Sequence, residues 1–179
     1  MKKLLLATLV ASISTLAMAD TGSVYVQGNV GASKLKIQDN GTYGKAGFGI
    51  AVGKDFGATR YALDYTNFGK IKAKGSIGER GRPDHDEWTE TLKVQSVGAS
   101  AFYDYQTNKG FTPYTGVRIG INQLNYQEEG FKTIMSTDGS LKNENYNEAK
   151  KMTKLGAGIP VGAQYALNSQ LTLDVATTI

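Results

Sequence analysis

The feature that most restricts the fold is an alternation of apolar residues with small or polar residues. Residues 45–53 show it most clearly, because Ala46, Phe48, Ile50 and Val52 alternate with lysine, glycine and alanine. A period of two indicates β-strands whose faces meet different surroundings. The same alternation begins near residues 24, 45, 60, 91, 112, 154 and 171. The sequence therefore predicts seven strands.

The connections between these strands alternate in length. Residues 55–59, 106–111 and 168–170 are short turns, whereas residues 75–90 and 127–150 form long polar loops. Short turns at one end and long loops at the other are typical of outer-membrane barrels. The pattern predicts an antiparallel barrel in which successive strands cross the membrane in opposite directions.

Two soluble folds, a lipocalin-like barrel and a β-sandwich, also contain alternating strands. Glycines lie on the polar face of the second, fifth and sixth strands, where a narrow barrel interior leaves little room. Aromatic residues lie near the ends of the apolar face, as in the aromatic belts at membrane interfaces. These features favour an all-β fold, a small antiparallel transmembrane β-barrel.

The first nineteen residues have the three parts of a secretory signal peptide. Lys2 and Lys3 precede an apolar stretch over residues 4–16, and Ala17-Met18-Ala19 provides a small-residue cleavage site. The stretch is shorter than the ~20 residues of a membrane-spanning helix. We therefore expect a signal peptide over residues 1–19 and a barrel domain over residues 20–179.

Charge and cysteine content exclude several classes of protein. The chain has 20 basic and 16 acidic residues, and two of the lysines lie in the predicted signal. The small remaining excess is spread along the chain and does not indicate nucleic-acid binding. Cysteine is absent, which excludes disulfides and thiolate metal sites.

Four stretches carry a family resemblance: Val24-Tyr25-Val26-Gln27, residues 61–66 (YALDYT), residues 96–105 (SVGASAFYDY) and residues 113–118 (PYTGVR). In them the chain resembles the opacity family of porins. The resemblance implies an eight-stranded barrel in the bacterial outer membrane. It also implies surface loops, which in some members bind host receptors or serum regulators.

The resemblance also raises an expectation about the end of the chain. Members of the family normally finish with an eighth strand that carries a terminal aromatic residue, whereas Thr178 and Ile179 end this chain at the seventh. An antiparallel barrel closes with an even number of strands. We therefore expect the C-terminal strand to be missing, with an open gap between the first and seventh strands.

Charged residues on the polar faces predict a network inside the barrel. Buried ionised groups are costly unless they are paired, so these side chains should form salt bridges and hydrogen bonds. An eight-stranded barrel has little free interior, which favours a filled interior over a conducting pore. The predicted lumen residues are Arg60, Asp64, Lys70, Arg118, Lys154 and Asp174.

The two long loops form the surface that such a protein offers to partners. Asp138-Gly139 predicts a hairpin in the second loop. Aromatic and basic residues are typical of binding surfaces, and here they are Arg80, Arg82, Trp88, Phe131 and Tyr146. His85, the only histidine, lies among acidic residues and is expected to be a solvated loop residue, so we predict no metal, cofactor or catalytic site.

The sequence thus predicts an outer-membrane surface protein that binds host-cell or serum proteins through its loops and has no enzymatic activity. Two alternatives remain open. One is a structural barrel whose rim lysines contact the phosphates of lipopolysaccharide, and the other is a small pore.

Overall fold

The computed structural model describes residues 4–17, 23–37, 41–79, 82–105, 107 and 110–179. These residues form nine β-strands, and none of them forms a helix long and apolar enough to cross a membrane. The strands are β1 Leu4–Ala17, β2 Val24–Ile37, β3 Gly41–Asp55, β4 Thr59–Ile77, β5 Asp86–Asp104, β6 Phe111–Met135, β7 Leu141–Gly158, β8 Pro160–Ala166 and β9 Leu171–Thr178.

The strands pair in a single sheet whose order closes on itself. The order is β5-β4-β3-β2-β1-β9-β8-β6-β7, and a further pairing joins β5 to β6. The ladders from β1 to β4 and from β6 through β8 and β9 to β1 are antiparallel. The predicted fold class, an all-β antiparallel barrel of the eight-stranded type, is confirmed.

The predicted sixth strand is divided in two at Ile159, between β7 and β8. Pro160 has no backbone N–H to donate to a ladder, and it begins β8. Ile159 donates to the carbonyl of Ile179 at 2.9 Å and accepts from its N–H at 3.2 Å. The interruption therefore accommodates a proline within a paired sheet.

The expected gap between the first and seventh predicted strands, β2 and β9, does not occur in the structure. Leu4–Ala17 lies there and is antiparallel to both neighbours, with Leu4 opposite Ile37 and Thr8 opposite Thr178. Each unpaired backbone group at an open edge would cost several kcal/mol in lipid. β1 forms antiparallel ladders with both edges and so pairs these groups. That residues 1–19 act as a signal peptide stays a prediction.

Apolar side chains point outward and polar side chains point inward, the reverse of a soluble domain. Exposed apolar residues include Val26, Ile50, Leu63, Val117 and Ile119. The buried polar residues of these strands include Arg60, Ser96, Ser100, Asp104 and Asp174. A lipocalin-like barrel or a sandwich would expose its polar face to water, so this inversion favours a strand surface that faces lipid.

A β-bulge in β4 reverses the side-chain phase predicted for that strand. Gly69 has a φ of 81°, and its N–H donates to Oδ1 of Asn67 at 2.9 Å. A bulge with glycine in the left-handed region adds one residue to a strand and re-aims the residues that follow. Lys70, Lys72 and Lys74 are therefore exposed, and the prediction that Lys70 faces the lumen is wrong.

The described residues divide into two compact units. Unit 1 comprises Met1–Gly69, Gln95–Asn122 and Lys154–Ile179, and unit 2 comprises Lys70–Val94 and Gln123–Thr153. Much of unit 2 was predicted as long loops, but β4 to β7 extend through it. The connection between β6 and β7 is the predicted hairpin, in which Ser136 N–H donates to Ser140 O at 2.8 Å and Gly139 has a φ of 80°.

Candidate functional site

Arg60 is the centre of a buried cluster in unit 1. Its Nε donates to Oδ2 of Asp104 at 2.6 Å and its Nη2 to Oδ1 at 2.9 Å, and both side chains are 4% exposed. The guanidinium carbon lies 4.9, 5.0 and 5.9 Å from the ring centroids of Tyr114, Phe102 and Tyr25. A bidentate carboxylate and aromatic faces together stabilise a buried cation.

Asp174, in β9, lies in the same unit and is 1% exposed. The hydroxyl of Tyr114 donates to its two oxygens at 2.9 and 3.1 Å, and Nε2 of Gln164 donates to Oδ2 at 3.2 Å. A buried carboxylate needs such donors, because desolvation is otherwise expensive. Tyr114 contacts both Arg60 and Asp174, so its ring joins the two charged groups into one cluster.

Arg118 and Asp64 form a second pair, which is partly buried, with side chains 19% and 12% exposed. Nε of Arg118 lies 3.0 and 3.2 Å from the oxygens of Asp64, and Nη2 donates to Asp64 Oδ1 at 2.5 Å and to Ser96 Oγ at 2.9 Å. A Cβ on Gly98 would lie 2.5 Å from this guanidinium. Glycine on the inner face therefore provides the space that the arginine occupies.

Four of the predicted lumen residues, Arg60, Asp64, Arg118 and Asp174, are thus hydrogen-bonded to side chains of other strands. The other two, Lys70 and Lys154, are exposed. Lys70 is exposed because of the bulge at Gly69. Lys154 is exposed although Gly156, two residues on, packs against Asn122. In the strand order of the described residues β7 pairs with β6 alone, so no strand on its other side covers Lys154.

The Arg118 pair supplies a direct test of the inward face of β6. We expect Arg118→Leu to destabilise the refolded barrel by about 2 kcal/mol, because it leaves the partly buried Asp64 carboxylate without the hydrogen bonds of its partner. Thr115→Leu should cost much less, since Thr115 carries no charge and its hydroxyl makes only a long contact of 3.5 Å with the carbonyl of Pro160. Denaturant titration followed by heat-modified gel mobility measures both variants. Equal losses would show that β6 is assigned to the wrong phase.

Unit 2 brings together two of the predicted loop-binding residues, Trp88 and Phe131. Both line a pocket of about 440 Å³, together with Lys74, Gly75, Ser76, Glu87, Thr89, Glu129 and Gly130. A third, Tyr146, packs its ring against Gly130 and donates its hydroxyl to Oδ1 of Asp86 at 2.9 Å. Arg82 is not among the lining residues; it is exposed and pairs with Glu79 at 2.8 Å. Arg80 lies outside the described residues.

His85 differs from its prediction as a solvated loop residue, because it is only 3% exposed. Its Nδ1 lies 3.1 and 3.3 Å from the carbonyls of Ile77 and Gly78, and its Nε2 lies 3.0 Å from Oε1 of Glu87. The ring also packs edge-on against Phe131. Asp84, immediately before it, has a φ of 68°. No feature of the sequence separates this histidine from an exposed one.

Carboxylates surround the tyrosines of unit 2. Burial and the hydrogen bond to Asp86 raise the pKa of Tyr146 to about 12, and nearby Glu128 and Glu148 act in the same direction. Burial, the bond to Glu128 and the charge of Glu90 likewise raise the pKa of Tyr126. Carboxylates therefore accept hydrogen bonds from both tyrosine hydroxyls. Within the described residues, no group of three or more histidine or acidic side chains is placed to hold a metal ion.

Comparison with known proteins gives consistent matches. The profile of the opacity family porin proteins matches residues 52–178. An uncharacterized protein of Haemophilus influenzae is 32% identical, over 97% of this chain and 86% of the relative. The protein opa of the same species is 30% identical, over 65% of this chain and 71% of the relative. An opacity protein of Neisseria gonorrhoeae is 31% identical, over 70% of this chain and 64% of the relative.

The chain thus spans a little under two thirds of the length of that gonococcal protein. Among solved structures, the crystal structure of neisserial surface protein A matches with a TM-score of 0.46 at 17% identity. That match covers 97% of this chain and 94% of the other.

Proposed function

Because the chain belongs to the opacity family of porins and is a bacterial outer-membrane protein, we propose that it binds host-cell or serum proteins through unit 2. Unit 1 serves as the membrane anchor. Its exposed apolar side chains face lipid, and its buried pairs centred on Arg60 and Arg118 fill the interior. The proposal includes no catalytic step.

The observation that carries this proposal is that the aromatic residues of unit 2 are held in place. The ring of Trp88 covers Gly75, and Phe131 packs against His85, which is itself bonded to Glu87. Aromatic anchors in well-packed positions dominate the energetics of protein interfaces. Fixing them before a partner arrives lowers the entropy lost on binding.

A second candidate function rests on the lysines of β4. Lys70, Lys72 and Lys74 are exposed at alternate positions after the bulge, so their ammonium groups lie on one face of the strand. Such a row suits the phosphates of lipopolysaccharide, and it needs no protein partner. In this reading the protein is a structural component of the outer leaflet.

A small pore is the weakest alternative, since the paired side chains of unit 1 occupy the interior.

Binding by bacteria that display the protein tests the first function. Replacing residues 75–90 and 127–150 with short turns removes Trp88, Phe131 and Tyr146. It should abolish binding to host cells and serum proteins, while heat-modified gel mobility shows that the barrel still forms. The matched control replaces the turn at residues 168–170, which lies in unit 1, and should leave binding unchanged. Binding that survives the first exchange would refute the adhesion proposal.

A double Lys70→Gln, Lys72→Gln variant tests the second candidate and spares Lys74, which lines the pocket in unit 2. If the lysine row contacts lipopolysaccharide, this variant should lose co-purifying lipopolysaccharide while binding to host proteins is kept. Unchanged lipopolysaccharide content would exclude the lysine row as the contact.

A further inference from the structure

The residues around the pocket in unit 2 belong to two opposite sides of the sheet. A Cβ on Gly75 would overlap the indole of Trp88, so these two residues face the same side. A Cβ on Gly130 would meet the ring of Tyr146, whose hydroxyl bonds Asp86, two residues before Trp88. Gly130 therefore faces this side as well, which we call the Trp88 side.

The opposite side, which we call the Phe131 side, carries the polar side chains of the pocket. Successive side chains of a strand point to opposite sides, so the residues next to Gly75, Trp88 and Gly130 point away from the indole. The pocket residues on this side are Lys74, Ser76, Glu87, Thr89, Glu129 and Phe131. His85 agrees with this assignment, because it contacts both Phe131 and Glu87. These six side chains face one common space.

The charges on the Phe131 side do not select an ion. Glu87 and Glu129 lie in the lining with Lys74, so a ligand charge of either sign would meet a like charge as well as an opposite one. Ser76 and Thr89 add hydroxyls, which both donate and accept, whereas an ammonium group only donates and a carboxylate only accepts. The matching ligand is therefore uncharged and carries several groups that can both donate and accept.

A hexose has these properties. Its hydroxyls donate and accept hydrogen bonds, and the C–H groups of one ring face form an apolar surface that can pack on an aromatic side chain. The pocket volume of about 440 Å³ lies in the range of small-molecule sites. Polar groups that lose water without gaining a partner reduce affinity, so this lining favours a sugar over an apolar ligand of the same size.

We propose that the Phe131 side of this pocket binds a neutral hexose unit of a glycan, with the C–H face of the sugar on Phe131 and its hydroxyls bonded to Glu129 and Lys74. The inference rests on the proposed binding function of unit 2 and names the chemistry that the partner presents. Lys70 and Lys72 alternate with their neighbours in register with Lys74, so a phosphate-bearing glycan can extend along this row. The sugar has two sources, the oligosaccharide of lipopolysaccharide and the glycans of host proteins.

Saturation-transfer NMR measures this binding directly. The full chain is refolded in lauryldimethylamine oxide, a detergent without a sugar headgroup, and titrated with the methyl glycosides of glucose, galactose and N-acetylglucosamine. At least one glycoside should bind saturably, with a Kd on the order of 1 mM for a ligand of this size. Inorganic phosphate and Nα-acetyl-arginine amide, an anion and a cation, should not displace it.

Variants test the assignment of the Phe131 side. Glu129→Gln, at an exposed position, should weaken glycoside binding about threefold to tenfold, because it removes a charged acceptor. Phe131→Leu keeps an apolar side chain without the ring and should have an effect of similar size. Glu144→Gln, an exposed position of unit 2 outside the pocket lining, should leave binding unchanged. Heat-modified gel mobility reports the folding of each variant, and Glu129→Gln decides if Phe131→Leu does not fold.

Three results would overturn the inference: no saturable response to any of the glycosides, displacement of the bound glycoside by phosphate or arginine amide, or equal effects of Glu129→Gln and Glu144→Gln. Host-protein binding by bacteria that display the protein is measured in parallel. If it persists while no glycoside responds, the sugar pocket alone is refuted and the proposed function stands.

Competition identifies the source of the sugar. Oligosaccharide released from lipopolysaccharide and glycans released from host-cell proteins are each added to the glycoside complex. The preparation that displaces the glycoside contains the natural ligand, and displacement by neither would refute the assignment of the pocket to a glycan.

Discussion

Replacing Arg60 with methionine should destabilise the folded barrel by about 3 to 5 kcal/mol. The change leaves the Asp104 carboxylate buried, with its side chain 4% exposed, and removes the two hydrogen bonds of 2.6 and 2.9 Å. Removal of one partner from a buried ion pair costs this much because the other charge stays desolvated. Denaturant titration of the refolded protein, read by heat-modified gel mobility, measures the loss.

Arg82→Met is the matched control, because Arg82 also pairs with a carboxylate, Glu79, at 2.8 Å. Its side chain is 74% exposed, and an exposed pair contributes no more than about 1 kcal/mol. The double variant Arg60→Met, Asp104→Leu should recover much of the lost stability, since it removes both charges from the interior. If Arg60→Met behaves like Arg82→Met, the Arg60 cluster does not stabilise the barrel.

Gly53→Ala is expected to destabilise the barrel by about 1 to 3 kcal/mol through overpacking. Gly53 lies directly across from Tyr25 in the β2–β3 ladder, and a Cβ there would overlap the tyrosine ring. Tyr25 is only 2% exposed and also contacts Arg60, so it has little room to move. The same denaturant titration applies.

Gly28→Ala provides the control for this second prediction, because a Cβ at Gly28 would meet no atom within 4 Å. Its effect should be within about 0.5 kcal/mol. In a Tyr25→Leu background, Gly53→Ala should cost much less than in the native chain, since contacting residues are not additive. Additive losses would mean that the alanine clashes with some group other than the tyrosine ring.

The same arrangement, a large inward side chain over a cross-strand glycine, recurs in both units. Tyr114 covers Gly162 in unit 1, and Trp88 covers Gly75 in unit 2. The glycines on the polar faces of the predicted strands therefore indicated that the interior is crowded. It did not reveal which ring or guanidinium occupies each space, because the occupant comes from another strand.

What the sequence determined alone was the class of fold and the family. Period-two alternation and its turn signals are local, so they identify strands such as residues 45–53, and Asp138-Gly139 identifies its hairpin. The four stretches from Val24 to Arg118 pointed to the opacity family, and the family comparison agrees. Inward placement of Arg60, Asp64, Arg118 and Asp174 follows from the same local alternation.

Only the tertiary structure decided the partners and the exceptions. Arg60 meets Asp104 across 44 positions of sequence, and Arg118 meets Asp64 across 54; such contacts depend on strand register, which alternation leaves open. A single bulge at Gly69 turned Lys70 outward. Strand pairing through unit 2 likewise buried His85 and brought Trp88 and Phe131 to one pocket. Local patterns indicate which face a residue is on as long as no bulge intervenes, whereas its neighbours depend on how distant strands align.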